Sequence, residues 1–141
     1  MTSGKGIVLD ANVLLSAVFG QRVRQLLETY EEHAAFYSPD SCLEEVRKYI
    51  PNIAERRGID ADQALRMLGG ICAMVEFVNS DLYRKFEDEA HQRIDSRDPD
   101  DWPVVATALM LDLDIWTDDQ DFFGTGIATW TTGRVELYLK G

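Results

Sequence analysis

Apolar residues along this chain follow two rhythms. Short runs rich in apolar residues predict strands at Ile7–Leu9, Ala34–Ser38, Glu76–Val78, Asp112–Thr117 and Ile127–Trp130. Between them lie segments whose apolar positions recur every three or four residues, the period of an amphipathic helix. These predict helices over Asn12–Phe19, Gln21–Glu32, Asp40 to about Ile50, Asp60–Val75, Leu82–Ile94 and Val104–Leu111. A short helical turn is expected at Asp118–Phe123 and a terminal element over Gly133–Lys140. Gly20 separates the first two helices, and Pro51 is expected to break or kink the third. Glu55-Arg56-Arg57-Gly58 has the charge and the glycine of a helix end, and Gly124–Gly126 reads as a loop. Gly69-Gly70 costs its helix about 2 kcal/mol relative to two alanines, and close packing of another helix is the reason the pattern suggests. Strands alternating with helices, without repeat, linker or low-complexity segment, imply one α/β domain over residues 1–141. Its expected architecture is a central, mainly parallel sheet of four to five strands flanked by helices in three α/β/α layers.

A parallel sheet binds ligands beyond the carboxyl ends of its strands. Ile7-Val8-Leu9 runs directly into Asp10, which places that carboxyl where such a sheet keeps its chemistry. Asp10 is equally suited to cap the helix that follows. Three later segments bring acids to similar places. In the 40–50 helix the apolar stripe is Cys42, Leu43, Val46, Tyr49 and Ile50. At about 100° per residue, Glu44 lies nearly opposite that stripe and Glu45 about 90° from it, where it can reach over the sheet. Arg97-Asp98-Pro99-Asp100-Asp101 sets three aspartates ahead of a buried helix, more than one cap needs. Asp98 and Asp101, spaced i, i+3, project from one side, and Asp100 points elsewhere. Asp118, Asp119 and Asp121 follow the 112–117 strand. Carboxylates this close cannot all stay ionised without compensation. Mg²⁺ and Mn²⁺ favour carboxylate and water ligands, and a pair of them can clamp the attacking and leaving oxygens of a phosphodiester.

Charge alters this picture. The net charge is −11, which argues against a nucleic-acid partner unless bound divalent ions reverse the local sign. Acidity also suits a basic protein partner. His33 and His91 are the only histidines, both in polar helical contexts, so neither a zinc site nor a histidine triad is expected. Ser16, Ser38 and Ser41 have no evident base, and Gly4-Lys5-Gly6 lacks the spacing of a phosphate-cradling loop. No apolar run approaches the ~20 residues needed to span a bilayer. The first six residues are too few and too polar for a signal peptide. Cys42 and Cys72 lack metal-ligand spacing and read as buried thiols in a reducing compartment. A cytoplasmic protein with no membrane association is expected.

Four segments together resemble the PIN-domain ribonucleases, especially the bacterial VapC-type toxins and their stand-alone relatives. Val8-Leu9-Asp10-Ala11-Asn12-Val13-Leu14 resembles that family's opening strand, with its first acid and following polar residue. Tyr37-Ser38-Pro39 through Leu43-Glu44-Glu45-Val46 resembles the second motif, whose acid directly precedes an apolar residue and so selects Glu45. Arg97-Asp98-Pro99-Asp100-Asp101 with Val104–Ala108 resembles the third, and Trp116-Thr117-Asp118-Asp119-Gln120-Asp121-Phe122 the fourth. The resemblance implies a PIN fold and hydrolysis of RNA phosphodiester bonds with Mg²⁺ or Mn²⁺, leaving a 5′-phosphate and a 3′-hydroxyl. It implies Asp10, Glu45, Asp101 and Asp119 as metal-binding catalytic acids, with Asp98 and Asp121 as supporting ligands. Asn12 and Thr117 would hydrogen-bond those acids or the phosphate, and Ser38 is a further supporting candidate. It also implies an RNA substrate, a homodimer, and often a small antitoxin that fills the site with a basic side chain.

Two other readings fit parts of the chain. One is a non-catalytic PIN-like module that docks RNA or protein. The other is an aspartate-nucleophile phosphatase of the haloacid-dehalogenase type with Asp10 as nucleophile, although Asn12 stands where that family carries a second Asp. Arg22, Arg24, Arg56 and Arg57 form no RNA-recognition motif and read as solvated helix faces.

Overall fold

Ile7, Val8 and Leu9 are wholly buried, as a strand covered on both faces requires. In the computed structural model of the chain, which describes residues 5–141, they lie in β1 (Gly6–Leu9), at the centre of a five-stranded sheet. The other strands are β2 (Ala35–Pro39), β3 (Val75–Val78), β4 (Asp114–Trp116) and β5 (Thr129–Trp130). Their order is β3-β2-β1-β4-β5 and every neighbouring pair is parallel. All five carboxyl ends therefore share one edge. The chain builds outward from β1 through β2 to β3, then returns to β1's other side with β4. That reversal is the switch point at which open α/β sheets bind ligands, and Asp10 follows β1 there.

The helices are α1 (Ala11–Phe19), α2 (Arg22–Tyr30), α3 (Asp40–Arg57), α4 (Ala61–Cys72), α5 (Ser80–Tyr83), α6 (Glu87–Ile94), α7 (Trp102–Leu111) and α8 (Val135–Lys140). The first four pack on one another, and α7 packs against β1, β2, β4 and α6. Residues Pro103–Ala108 of α7 are all buried, which accounts for the nearly continuous apolar sequence there. No described helix is long and apolar enough to cross a membrane. The amino-terminal residues 1–4, on which the reading of a signal peptide rests in part, lie outside the described residues.

Several boundaries differ from the sequence expectation. Pro51 neither ends nor interrupts α3, which continues to Arg57 and closes on Gly58 at φ 67°. Pro51 and Arg47 are both exposed, so the carbonyl that the proline leaves unpaired lies on the solvent side. The fourth helix stops at Cys72, because Val75 pairs with Phe36 and belongs to the sheet. The expected helix over 82–94 is divided into α5, a 3₁₀ turn at Arg84–Phe86, and α6. Asp40 anchors its start: one carboxylate oxygen accepts from the Ser80 amide (3.0 Å) and the other from the Tyr83 hydroxyl (2.8 Å). Asp112 ends α7 in the left-handed region (φ 55°), so β4 begins at Asp114. His33 lies in the turn after α2, outside a helix, and Cys42 is buried while Cys72 is half-buried.

Gly69 and Gly70 do not receive another helix. Both are exposed, and a Cβ at either would meet nothing within 4 Å. The pair therefore weakens α4 without a packing return, and Gly69→Ala with Gly70→Ala is expected to raise stability by about 2 kcal/mol. Urea unfolding followed by circular dichroism measures this; an unchanged or lower midpoint would show that the glycines serve a contact.

Candidate functional site

Asp10 occupies the carboxyl end of β1 and is only 3% exposed. It also caps α1: its Oδ1 accepts from the Val13 amide at 2.9 Å. The cap and the site position are one arrangement. Its other oxygen accepts from the Thr117 hydroxyl, just past β4, and that hydroxyl in turn accepts from the Asp119 amide at 3.0 Å. Thr117, wholly buried, thereby ties the ends of two adjacent strands together through one carboxylate. Burial pushes the Asp10 carboxyl up to about 6, against the opposing effect of the Thr117 and Val13 bonds. Repulsion from Asp119 and Asp118 adds to the rise.

Asp101 sits in the 3₁₀ turn Pro99–Asp101 that leads into α7. Asp98 caps that turn, accepting from the Asp100 amide at 3.0 Å. On the opposite loop, Asp119 caps the 3₁₀ turn Gln120–Phe122 by accepting from the Asp121 amide at 2.9 Å. The two turns face each other. Asp98, Asp101 and Asp121 each bring a carboxylate oxygen within 4.8 Å of the others. Asp101 Oδ2 is the one buried side-chain oxygen or nitrogen among the described residues that has no hydrogen-bond partner. A buried carboxylate oxygen without a partner is costly, and a cation is the partner its charge calls for. Oxygen donors alone, with no nitrogen or sulfur among them, suit a hard divalent ion. The residues present thus fit Mg²⁺ or Mn²⁺.

Desolvation pushes the Asp101 carboxyl up to about 7, with repulsion from Asp98, Asp119, Asp10 and Glu45 contributing in that order. Asp101 is therefore the point at which the fields of the four acids named by sequence converge. Glu45, on the second turn of α3, keeps an exposed side chain but borders a cleft of about 80 Å³ with Ser41, Cys42, Asp100 and Asp101. Partial burial, then repulsion by Asp100 and Asp98, raises its carboxyl, while Lys48 opposes the rise. The Cys42 thiol in the same cleft is raised far above its ordinary value by burial. A cavity of about 560 Å³ lies among Gly6, Ala35, Val75 and Leu113 at the sheet's opposite edge and contains none of these acids.

The remaining predicted residues divide. Ser38 is wholly buried and donates to the Leu9 carbonyl at 2.7 Å, holding β2 to β1 just before Asp10. Asn12 is exposed on the first turn of α1 and makes no side-chain hydrogen bond among the described residues. Asp118 turns away from the acids: its two oxygens accept from the Thr132 amide and hydroxyl, each at 2.7 Å. Asp100, which the i, i+3 pattern sends elsewhere, faces Glu45. Sequence reasoning missed the support of the Asp121 loop. Arg93 on α6 donates to the Thr125 carbonyl at 2.7 Å, and the buried Thr125 hydroxyl donates to the Phe122 carbonyl at 2.9 Å. Gly124 and Gly126 flank Thr125 at φ 87° and 83°. The Gly-Thr-Gly spacing was the available signal.

Asp10 and Asp101 both ionise above the ordinary aspartate value of 3.8. Between about pH 4 and pH 7 the folded protein holds protons that the unfolded chain has lost, so stability falls as pH rises through that window. In EDTA the melting temperature is expected to fall between pH 5 and pH 7.5. Asp101→Asn should flatten that fall and raise the melting temperature at pH 7.5 by about 3 °C or more. Parallel profiles for variant and wild type, recorded by circular dichroism, would contradict this account.

Solved structures place this architecture in context. PAE2754 from Pyrobaculum aerophilum superposes with a TM-score of 0.72 at 14% identity, over 99% of this chain and 92% of that one. VapBC2 from Rickettsia felis, bound to a DNA fragment from its promoter, gives 0.69 at 12% identity, over 89% and 98%. A toxin–antitoxin complex from Klebsiella pneumoniae gives 0.63 at 20% identity, over 89% and 97%. No match was found among curated protein sequences. At these identities the likeness is one of fold. The family profile described as PIN domain, however, matches this sequence itself over residues 8–140, from β1 through the acidic turns to α8. The chain belongs to the PIN-domain family.

Proposed function

We propose that this protein is a metal-dependent endoribonuclease that hydrolyses RNA phosphodiester bonds with Mg²⁺ or Mn²⁺. The observation that carries this reading is the buried, unpartnered Oδ2 of Asp101, set in a group whose oxygens converge from Asp98 and Asp121. Asp10, Glu45, Asp101 and Asp119 are the metal-binding acids of the proposal, with Asp98 and Asp121 in support. A divalent ion bound there supplies Lewis acidity and lowers the pKa of water. The chain's own residues do the rest. Thr117 holds Asp10 in place through its hydroxyl bond, and the two 3₁₀ turns fix Asp98, Asp101 and Asp121. In the proposal Asn12, exposed beside the first strand end, belongs to the polar rim of the site, and the buried Ser38 supports it from beneath through its bond to the Leu9 carbonyl.

The toxin–antitoxin complex among the structural neighbours supports extending the proposal to a toxin with a small antitoxin partner, and a homodimeric state and a cytoplasmic setting belong to the same proposal. A basic side chain from such a partner would find carboxylates that lack compensation. The phosphatase reading of Asp10 falls with the family assignment.

The test is cleavage of a labelled RNA panel with Mg²⁺ or Mn²⁺ and with EDTA. Wild type is expected to cleave only with metal, and Asp10→Asn and Asp101→Asn should each lose at least about a hundredfold in rate. Cleavage that survives EDTA or both substitutions would refute the reading. Protons and metal compete for the raised carboxyls, so Mn²⁺ affinity measured by calorimetry should weaken between pH 7.5 and pH 6. A wild type that binds Mn²⁺ and RNA but cleaves nothing would favour the non-catalytic module.

A further inference from the structure

An acidic site must still meet a polyanion. With a net charge of −11 the chain cannot rely on its overall field, so RNA affinity must come from particular cations and aromatic faces. Among the described residues, four of the fourteen lysines and arginines have side chains that donate to other groups of the fold. Arg93 donates to Thr125 and to Glu89, Arg22 to Glu136, Arg24 to the Ala17 carbonyl, and Lys5 to the Tyr138 carbonyl.

Arg97 differs. It immediately precedes Asp98, is exposed, and its guanidinium makes no hydrogen bond or ion pair among the described residues. It nonetheless lies against a particular stretch of backbone. The guanidinium lies against Gly124, where a Cβ would come within 2.5 Å of Nη2. The φ of 87° at Gly124 favours glycine there, and the missing Cβ leaves that contact open. Arg97 thus reaches from the segment that carries Asp98 and Asp101 to the loop that carries Asp121. Between Asp121 and Gly124 that loop buries Phe122 completely and leaves Phe123 44% exposed. The backbone around Phe123 is held: its amide donates to the Gln120 carbonyl at 3.0 Å, and Arg93 and Thr125 fasten the residues on either side. A large apolar ring presented from a fastened loop is a surface awaiting a flat partner.

We infer that Arg97 and Phe123 form a nucleotide subsite at the mouth of the carboxylate cluster, which binds single-stranded RNA beside the scissile phosphate. The planar guanidinium fork matches a phosphate, and the Phe123 ring stacks on the adjoining base. Single-stranded substrate follows, because a duplex keeps its base faces stacked. This inference rests on the ribonuclease reading.

The test is steady-state cleavage of one single-stranded RNA with Mn²⁺ by wild type, Arg97→Gln, Phe123→Ala and Phe123→Trp. Fluorescence anisotropy with the same RNA provides the affinity directly. Arg97→Gln and Phe123→Ala are expected to raise KM and Kd about tenfold with the loss confined to those terms, and Phe123→Trp to restore them. Arg97→Gln should also flatten the dependence of log Kd on log salt by about 0.7, the share of one phosphate contact on a single strand. A structural role for either residue would lower the melting temperature and kcat without that change in slope or the tryptophan rescue. A wild type that neither cleaves nor binds RNA overturns the ribonuclease reading and the subsite together. A wild type active on RNA whose variants keep its KM, Kd and salt slope overturns the subsite alone.

Discussion

Carboxylates held within a few ångströms repel one another, and the arrangement at the carboxyl edge of this sheet exists against that repulsion. Asp101 shows the conflict most directly. It is partly buried, it feels four other acids, and one of its oxygens has no partner. A fold relieves such a cluster by protonation, by a bound cation, or by spreading the acids apart. Here the acids stay together because each belongs to a local structure with its own reason to form. Asp10 caps α1, Asp98 caps the turn before α7, and Asp119 caps the turn that carries Asp121. Every cap gains a charge-assisted bond to backbone amides, and these local gains hold in place a collectively unfavourable set of charges.

The parallel sheet brings those caps together. Because β1 and β4 are neighbours, the Thr117 hydroxyl reaches Asp10, and its oxygen receives the Asp119 amide. Two remote segments are thereby joined by one buried side chain. The loop beyond is fastened by a different device. Gly124 and Gly126 adopt positive φ, so two arginine side chains from the preceding segment can lie directly on the backbone.

This division of charge suits the ribonuclease proposed for this acidic chain. A broad basic surface would bind nucleic acid anywhere on the molecule. Negative charge over most of the chain instead confines productive contact to places where a metal or a single cation reverses the local sign. The unreversed negative field would instead favour a basic protein partner at the same edge.

Strand and helix rhythm, together with acids at the ends of apolar runs, made the α/β class, the parallel sheet and the neighbourhood of Asp10, Asp101 and Asp119 legible from sequence. Each depends on near neighbours in the chain: burial on two faces, helical period, or a cap. Pro51 and Gly69-Gly70 misled because their cost depends on whether the backbone faces water or a neighbour, which the local sequence does not contain. The choice among Asp118, Asp119 and Asp121 was equally hidden. Their different surroundings, Thr132 donating to Asp118 and the opposing turn facing Asp121, come from segments that the local sequence does not contain. The meeting of Asp98 with Asp121, the isolation of Asp101 Oδ2 and the seat of Arg97 on Gly124 were all decided in three dimensions. They join residues more than twenty positions apart, and only the pairing order of the strands sets those distances.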